Sequence, residues 1–279
     1  GDVLGISAPG PYVEALERRG VRHVPLAGST RGWSLRGDAR AAGELWRILR
    51  RERPSVLHTH NPKPGLYGRV VGRLAGVPIV VNTVHGLYAT EDDPWTRRAV
   101  VYTLEAIASR FSDAELVQNA EDVETMRRFR LASTSKVTHL GNGVDLQRFR
   151  PDRLSAERRR SLRASWGCDD TTVVVGCVGR LVAEKGYPEL FEAVRGLGPR
   201  VKLVVVGGDD PAKPDALDPA VIDRARQDGV LLLGHRTDVP DLLGAFDVFV
   251  LASHREGQPR AAMEAAATGL PVVATDIRG

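Results

Sequence analysis

The sequence predicts an α/β protein built as doubly wound parallel sheets in two halves. Short apolar, β-branched runs alternate with helical stretches along most of the 279 residues. The runs are continuous rather than alternating in polarity, as expected for strands buried on both faces of a parallel sheet. The alternation breaks once, between Gly141 and Thr171, where the chain is polar, carries Pro151 and is rich in arginine. Strand–helix alternation gives a doubly wound fold. The break divides it into 1–145, a linker with one short helix at 146–171, and 172–279.

The first half offers strands at 3–6, 21–25, 56–60, 79–84, 114–117 and 137–140. The second offers them at 173–178, 201–206, 230–233, 248–251 and 272–275. Helix signals fall between. Asp93-Pro94 supplies a capping carboxylate and a proline suited to a first turn. Asn119 and Asp122 have the spacing of a capping box. Gly269 is placed to stop a helix. Ala42, Leu45, Trp46 and Leu49 form one helical stripe that can face a core. The segment from Glu256 to Glu264 reads as a turn entering a helix, with Glu264 about two turns on.

Hydrophobic content of 42% and charged content of 27% are those of a soluble globular protein. No apolar run approaches the roughly 20 residues of a membrane helix. Cys168 and Cys177 suit neither a disulfide framework nor a metal site. Cys177 lies in an apolar strand and is expected to be a buried free thiol, which suits a reducing cytosol. The net charge of +4 is too mild to indicate nucleic-acid binding. Arginines cluster at 47, 50, 51 and 53 and at 158–160. Such clusters are solvated helix faces or attractions for anionic lipid. With Trp33 and Trp46, the first cluster suggests peripheral contact with the inner face of the plasma membrane. The chain opens on Gly1 rather than Met and stops at Gly279, soon after a strand, so it is expected to be cut at both ends.

In open parallel sheets, ligands gather at the carboxyl ends of the strands. His60-Asn61, His85-Gly86, Gly179-Arg180, Gly207-Gly208-Asp209, His235-Arg236 and the stretch from Ser253 to Glu256 each follow an expected strand. Their recurrence points to a cleft between two sheets. Arg180 and Lys185, flanked by Gly179 and Gly186, can hold a diphosphate, the arginine as a planar fork and the lysine as a point charge. The spacings of the ATPase phosphate loop and of the dinucleotide fingerprint are absent. A helix opening between Glu256 and Glu264 offers unpaired N–H groups and a positive dipole end to a phosphate or an oxygen-rich ligand. Read alone, the two acids are equally a solvated pair. His58 and His60 share a strand face, but no cysteine or carboxylate stands near them and His85 to complete a zinc set. Asp92-Asp93 reads as helix-start chemistry and Asp209-Asp210 as a loop, so no metal site is expected. Asn142 is either a turn residue at positive φ or a cleft residue.

Taken together, Gly179-Arg180-Leu181, Glu184-Lys185-Gly186, Val206-Gly207-Gly208 and the seven-residue spacing between Glu256 and Glu264 resemble family 4 glycosyltransferases of the GT-B fold. Thr83-Val84-His85-Gly86 and Gly141-Asn142-Gly143-Val144-Asp145 extend the resemblance over nearly the whole chain. His58-Thr59-His60-Asn61-Pro62-Lys63-Pro64-Gly65 resembles the branch that builds bacterial surface polysaccharides on a lipid carrier. The resemblance implies two Rossmann-like domains facing a cleft, both incomplete here. Nothing matches the glycine-rich strand–helix unit with which the family opens, and the family's closing helices are likewise unmatched.

The resemblance implies a retaining transfer of sugar from a nucleotide-diphosphate sugar, expected to be a UDP-sugar, to a hydroxyl of a lipid-linked glycan or similar acceptor. No cofactor or metal is implied. Arg180 and Lys185, with Gly179, would neutralise the donor diphosphate. Glu264 would accept from the ribose hydroxyls. Glu256 would lie beside the donor sugar. Backbone N–H groups of Gly257, Gln258 and Arg260 would reach sugar and phosphate, Pro259 having none to give. Arg236 and Val239 would lie near the base, and His85 would reach the donor sugar. His60, Asn61 and Asn142 are the acceptor-side expectation. The same fold also allows a nucleotide-sugar epimerase, or a non-catalytic nucleotide-sugar binder.

Overall fold

A computed structural model describes residues 2–278 apart from Pro11, Thr30, Arg31, Trp33, Asn61, Asp92, Ala212 and Pro214. The expectations placed on Trp33, Asn61 and Asp92 lie outside the described residues. The chain forms two compact units, Gly1–Gly141 and Asn142–Gly279.

In the first unit, β1 (Leu4–Ser7), α1 (Val13–Glu17) and β2 (Arg22–Pro25) are followed by α2 (Leu35–Glu52), β3 (Val56–His60) and α3 (Pro62–Leu74). Then come β4 (Ile79–Val84), α4 (Trp95–Ala108), β5 (Ala114–Val117), α5 (Ala120–Arg128) and β6 (Val137–His139). The second unit contains α6 (Ala156–Ser165), β7 (Val173–Val178), α7 (Tyr187–Arg195), β8 (Val201–Val206) and α8 (Pro219–Gln227). It continues through β9 (Leu231–Leu232), α9 (Val239–Ala245), β10 (Val248–Leu251), α10 (Arg260–Ala267) and β11 (Val272–Ala274). Each expected strand is present, with ends shifted by no more than a residue.

All strand pairings between these strands are parallel. The first unit holds a four-stranded sheet, β3-β4-β5-β6, and a separate pair, β1-β2. The second holds one five-stranded sheet ordered β11-β10-β7-β8-β9. β7 and β8 pair in register from Val173↔Val201 to Val178↔Val206. Alternate residues of these two strands enter opposite cores. Val174, Val204 and Val206 pack with Leu242, Phe246 and Phe249. Val175, Cys177, Leu203 and Val205 pack with Tyr187, Phe191 and Ile222. Burial on both faces is why these runs carry no polar alternation. It also leaves Cys177 an unpaired buried thiol, its pKa pushed up to about 11 by desolvation.

Several local expectations are corrected. Residues 146–171 are not a free linker, because Phe149, Leu162 and Trp166 are buried in the second unit's core. Arg163 of α6 is 2.8 Å from Asp247 and also donates to Ala245 O, tying this segment to α9 and β10. Trp46 is not in the core stripe of α2: the buried positions are Ala41, Leu45, Ile48 and Leu49, and Trp46 is 45% exposed. Pro94, not Asp93, stands at the N-cap of α4; Asp93 accepts from Thr90 N at 2.8 Å and pairs with Arg97 at 3.0 Å. Asn119 does cap α5, accepting from Glu121 N, while Asp122 accepts from Leu87 N at 3.1 Å. α10 starts only at Arg260, so Glu264 lies little more than one turn in; Gly269, at φ +82, follows its end. Gly141, at φ +69, takes the left-handed turn conformation that Asn142 was a candidate for.

Candidate active site

In the second unit the carboxyl ends of three strands, β7, β8 and β10, converge on one cluster. β7 runs out into Gly179-Arg180-Leu181, and β8 into Gly207-Gly208-Asp209. The two loops touch: Leu181 N donates to Gly208 O at 3.1 Å, and Leu181 bridges to Asp209. Gly207 is needed for this approach, since a Cβ there would sit 1.8 Å from the Gly179 carbonyl oxygen. That obstacle is backbone and cannot rotate away. Gly207→Ala is therefore expected to destabilise the second unit by about 1–3 kcal/mol and to weaken nucleotide binding together with it, read by thermal denaturation and UDP titration. A short 3₁₀ turn, Ala183–Lys185, follows, and ends at Gly186 with φ +65. A Cβ on Gly186 would lie 1.9 Å from Ala252 O, so the turn rests directly on the end of β10. His254 N donates to Glu184 O at 2.9 Å across the same contact.

This packing brings Lys185 to Glu256. Lys185 Nζ is 2.6 Å from Glu256 Oε1, and Ser253 Oγ donates to the same oxygen at 2.7 Å. Both charged side chains are largely shielded, 20% and 12% exposed. Arg180 Nη1 donates to Asp210 Oδ2 at 2.7 Å, with Arg180 49% exposed. An exposed pair of that kind is worth little, so Arg180 can exchange Asp210 for a stronger anion. Gly257, Gln258 and Pro259 lead into α10, and Pro259 occupies its N-cap with no capping side chain. The Gln258 Oε1 atom is buried without a hydrogen-bond partner. Arg260 reaches Glu264 at 3.5 Å. Burial pushes the Glu264 carboxyl up, partly offset by Arg260 and by Arg148. Arg236 is engaged by Asp238 at 2.6 and 2.8 Å, and Val239 begins α9. No hydrogen bond or ion pair to Arg180, Lys185 or Glu256 is described for either.

In the first unit the expected residues also meet. His60 Nδ1 lies 3.0 Å from His85 Nε2, and the His58 ring is 4.2 Å from that of His60. Burial, followed by the neighbouring histidines, lowers the pKa values of His58 and His60. His85 stands just before Gly86, whose φ of +129 turns the chain back toward Leu87. Beneath it lies a buried network absent from the sequence reading. Arg69, fully buried, donates to Glu115 at 2.8 Å, to Glu105 at 2.6 Å and to Gly65 O at 2.6 Å. Asn82 and Ser112 also donate to Glu115. A cavity of about 150 Å³ separates this network from the His85 turn. Asn142 belongs to the second unit, where its Oδ1 accepts from Gly143 N at 3.1 Å. Among the described residues no group of three His, Cys, Asp or Glu side chains is placed to hold a metal ion. The roles of Asp210, Arg148, Arg69 and Gln118 were missed, because each gains its meaning only from a partner distant in sequence.

Residues 172–279 match the family described as Glycosyl transferases group 1, and residues 2–148 match Glycosyltransferase Family 4. The UDP-Gal:alpha-D-GlcNAc-diphosphoundecaprenol alpha-1,3-galactosyltransferase of Escherichia coli is 34% identical over 276 residues, spanning 97% of this chain and 70% of that protein. The N,N'-diacetylbacillosaminyl-diphospho-undecaprenol alpha-1,3-N-acetylgalactosaminyltransferase of Campylobacter jejuni is 26% identical, over 84% of this chain and 62% of that protein. Among solved structures, Anabaena Alr3699/HepE in complex with UDP and glucose superposes with a TM-score of 0.79 at 22% identity, covering 99% of this chain and 73% of that one. The fold is thus that of the GT-B enzymes, two Rossmann-like units of parallel sheet. By both family matches and by its Escherichia coli relative, the chain belongs to glycosyltransferase family 4.

Proposed function

We propose that the chain transfers a sugar, with retention, from a UDP-sugar to a hydroxyl of a lipid-linked glycan in the assembly of a cell-surface polysaccharide. The observation that carries this reading is the cluster of Lys185, Glu256 and Ser253 between Arg180 and the uncapped start of α10. Two cations and a helix N-terminus on the loops that follow β7 and β10 support a site where a diphosphate leaving group would develop charge. The bond from anomeric carbon to phosphate oxygen breaks as the bond to the acceptor oxygen forms, and the acceptor proton passes to the departing phosphate. Arg180 and Lys185 stabilise that phosphate. Glu264 takes the ribose hydroxyls, and Glu256 lies beside the sugar. Arg236 and Val239 flank the base. The names of the relatives support a UDP donor and a diphospholipid acceptor. No metal is needed in this scheme, so added chelator leaves the rate unchanged.

The test is titration with UDP followed by a screen of nucleotide sugars for hydrolysis and transfer. Saturable UDP binding and turnover of one UDP-sugar are expected. Absence of UDP binding by the folded protein sinks the proposal.

A nucleotide-sugar donor together with a lipid-linked acceptor supports work at the cytoplasmic face of a membrane. No helix among the described residues is long and apolar enough to span one, so contact would be peripheral. The outer face of α2 presents Trp46 with Arg47, Arg50 and Arg51. α4 presents Trp95, Val100, Leu104 and Ile107, all exposed. Flotation with anionic vesicles is expected for the wild type. Loss of it on reversing the α2 arginines, or on Leu104→Asp with Ile107→Asp, identifies the face; no flotation by the wild type rejects membrane contact.

A further inference from the structure

The first unit carries a hydrogen-bond chain that crosses three neighbouring strand ends. Gln118 follows β5, His85 follows β4 and His60 closes β3. His85 Nδ1 lies 3.0 Å from Gln118 Oε1, and His85 Nε2 lies 3.0 Å from His60 Nδ1. The ends of the chain are chemically unequal. An amide oxygen only accepts, so the proton between Gln118 and His85 belongs to His85 Nδ1. A neutral imidazole carries one N–H, so His85 Nε2 is a lone pair. The contact to His60 then needs the proton on His60 Nδ1. The remaining nitrogen, His60 Nε2, is left as a lone pair on an exposed side chain at the carboxyl edge of the sheet.

Gln118 is well placed to impose this order. Its backbone N donates to Val84 O at 3.2 Å, tying β5 to the residue before His85. Its neighbour Asn119 is buried and caps α5. His139 supplies an internal contrast. Its Nε2 lies 3.3 Å from the Gln118 carbonyl oxygen, so His139 carries its proton on Nε2. The lowered pKa values of His58 and His60, from burial and then from neighbouring histidines, favour neutral rings at physiological pH.

We propose that Gln118 is a positioning residue that sets the tautomers of His85 and His60, so that His60 Nε2 accepts a hydrogen bond from a sugar hydroxyl of the acceptor. The hydroxyl part rests on the glycosyltransfer reading above; the tautomer part does not. The hydroxyl held by His60 is a neighbour of the attacking one, whose own proton passes to the departing phosphate; accepting from it fixes the orientation of the acceptor sugar. A second histidine behind the first, anchored by an amide, holds the ring against rotation as an orienting group does behind a catalytic base.

The test is ¹⁵N NMR of the full chain labelled at histidine, assigned by single His→Gln variants. The expected wild-type pattern is His60 and His85 protonated at Nδ1 and His139 at Nε2. Finding His85 protonated at Nε2 means the amide is turned the other way and overturns the proposal. Gln118→Leu is expected to release both rings from the Nδ1–H form, whereas Gln118→Glu, which also only accepts when ionised, keeps them there at alkaline pH. Unchanged tautomers in Gln118→Leu also overturn it. With a GlcNAc-diphospholipid as probe, Gln118→Leu is expected to lower acceptor kcat/KM by roughly tenfold, the scale of one lost hydrogen bond, while acceptor-independent hydrolysis of the UDP-sugar is kept. An acceptor kcat/KM left unchanged in a variant whose tautomers have changed removes the role of His60. If the wild type does not transfer to this probe, the acceptor assignment fails while the NMR result decides the tautomers.

Discussion

Arg180→Ala is expected to lower turnover of the nucleotide-sugar donor by roughly a hundred- to a thousandfold, the range seen when one group stabilising a developing anion is removed. Stability should change by no more than about 0.5 kcal/mol, as for a surface substitution. The contrast follows from the geometry. Arg180 is half exposed and its one described ion pair, at 2.7 Å to Asp210, is of the exposed kind, so the fold has little need of it. Its position past β7, beside the loop that follows β8, is what the chemistry uses. Lys185 differs, because Glu256 already holds it at 2.6 Å in a shielded setting. Glu256→Gln should free Lys185 for phosphate, so UDP binds several-fold tighter while turnover falls. Turnover and UDP titration on the two variants, with melting curves, check both statements. Unchanged turnover in Arg180→Ala removes its assigned role.

Arg69→Met should be the most damaging substitution in the first unit. Arg69 and Glu115 are fully buried, and Glu105 is 13% exposed. Removing the guanidinium leaves two carboxylates without their cation, which costs about 3–5 kcal/mol when one partner of a buried pair is lost. Burial already raises the Glu105 carboxyl against the pull of Arg69. A carboxyl whose pKa is higher folded than unfolded destabilises progressively as pH rises through that interval, and is neutral in both states below it. In Arg69→Met the Glu105 carboxyl loses that pull and shifts further up, so the deficit against wild type should grow from mildly acid to alkaline pH. Denaturant unfolding at several pH values measures this. The double variant Arg69→Met with Glu115→Leu should recover part of the loss, since an apolar replacement removes one uncompensated charge. A single variant as stable as wild type would falsify the account.

Much of the fold was legible because burial on two faces leaves a mark in one dimension. β7 and β8 are runs of valine since each face meets its own core. The linker was misread for the opposite reason. Phe149, Leu162 and Trp166 are three apolar residues in a polar, arginine-rich stretch, and only the groove they fill shows that they belong to a core. Asp93 was misassigned by one position, and Trp46 was left open between a core stripe and an exposed face, distinctions that capping rules and periodicity do not resolve. The residues of the candidate site were nearly all nameable from motifs; their partners were not.

The sequence by itself determined the alternation of strand and helix, the parallel sheets that follow from it, and the family, because these depend on short-range pattern and on spacing within single loops. Only the tertiary structure decided which charges face each other. Lys185 and Glu256 are 71 residues apart, Arg69 and Glu115 are 46 apart, and His85 and Gln118 are 33 apart. Parallel strands place their carboxyl ends side by side however much chain lies between them. Spacing along the chain therefore carries no record of these contacts, whose energies depend on separations of a few ångströms.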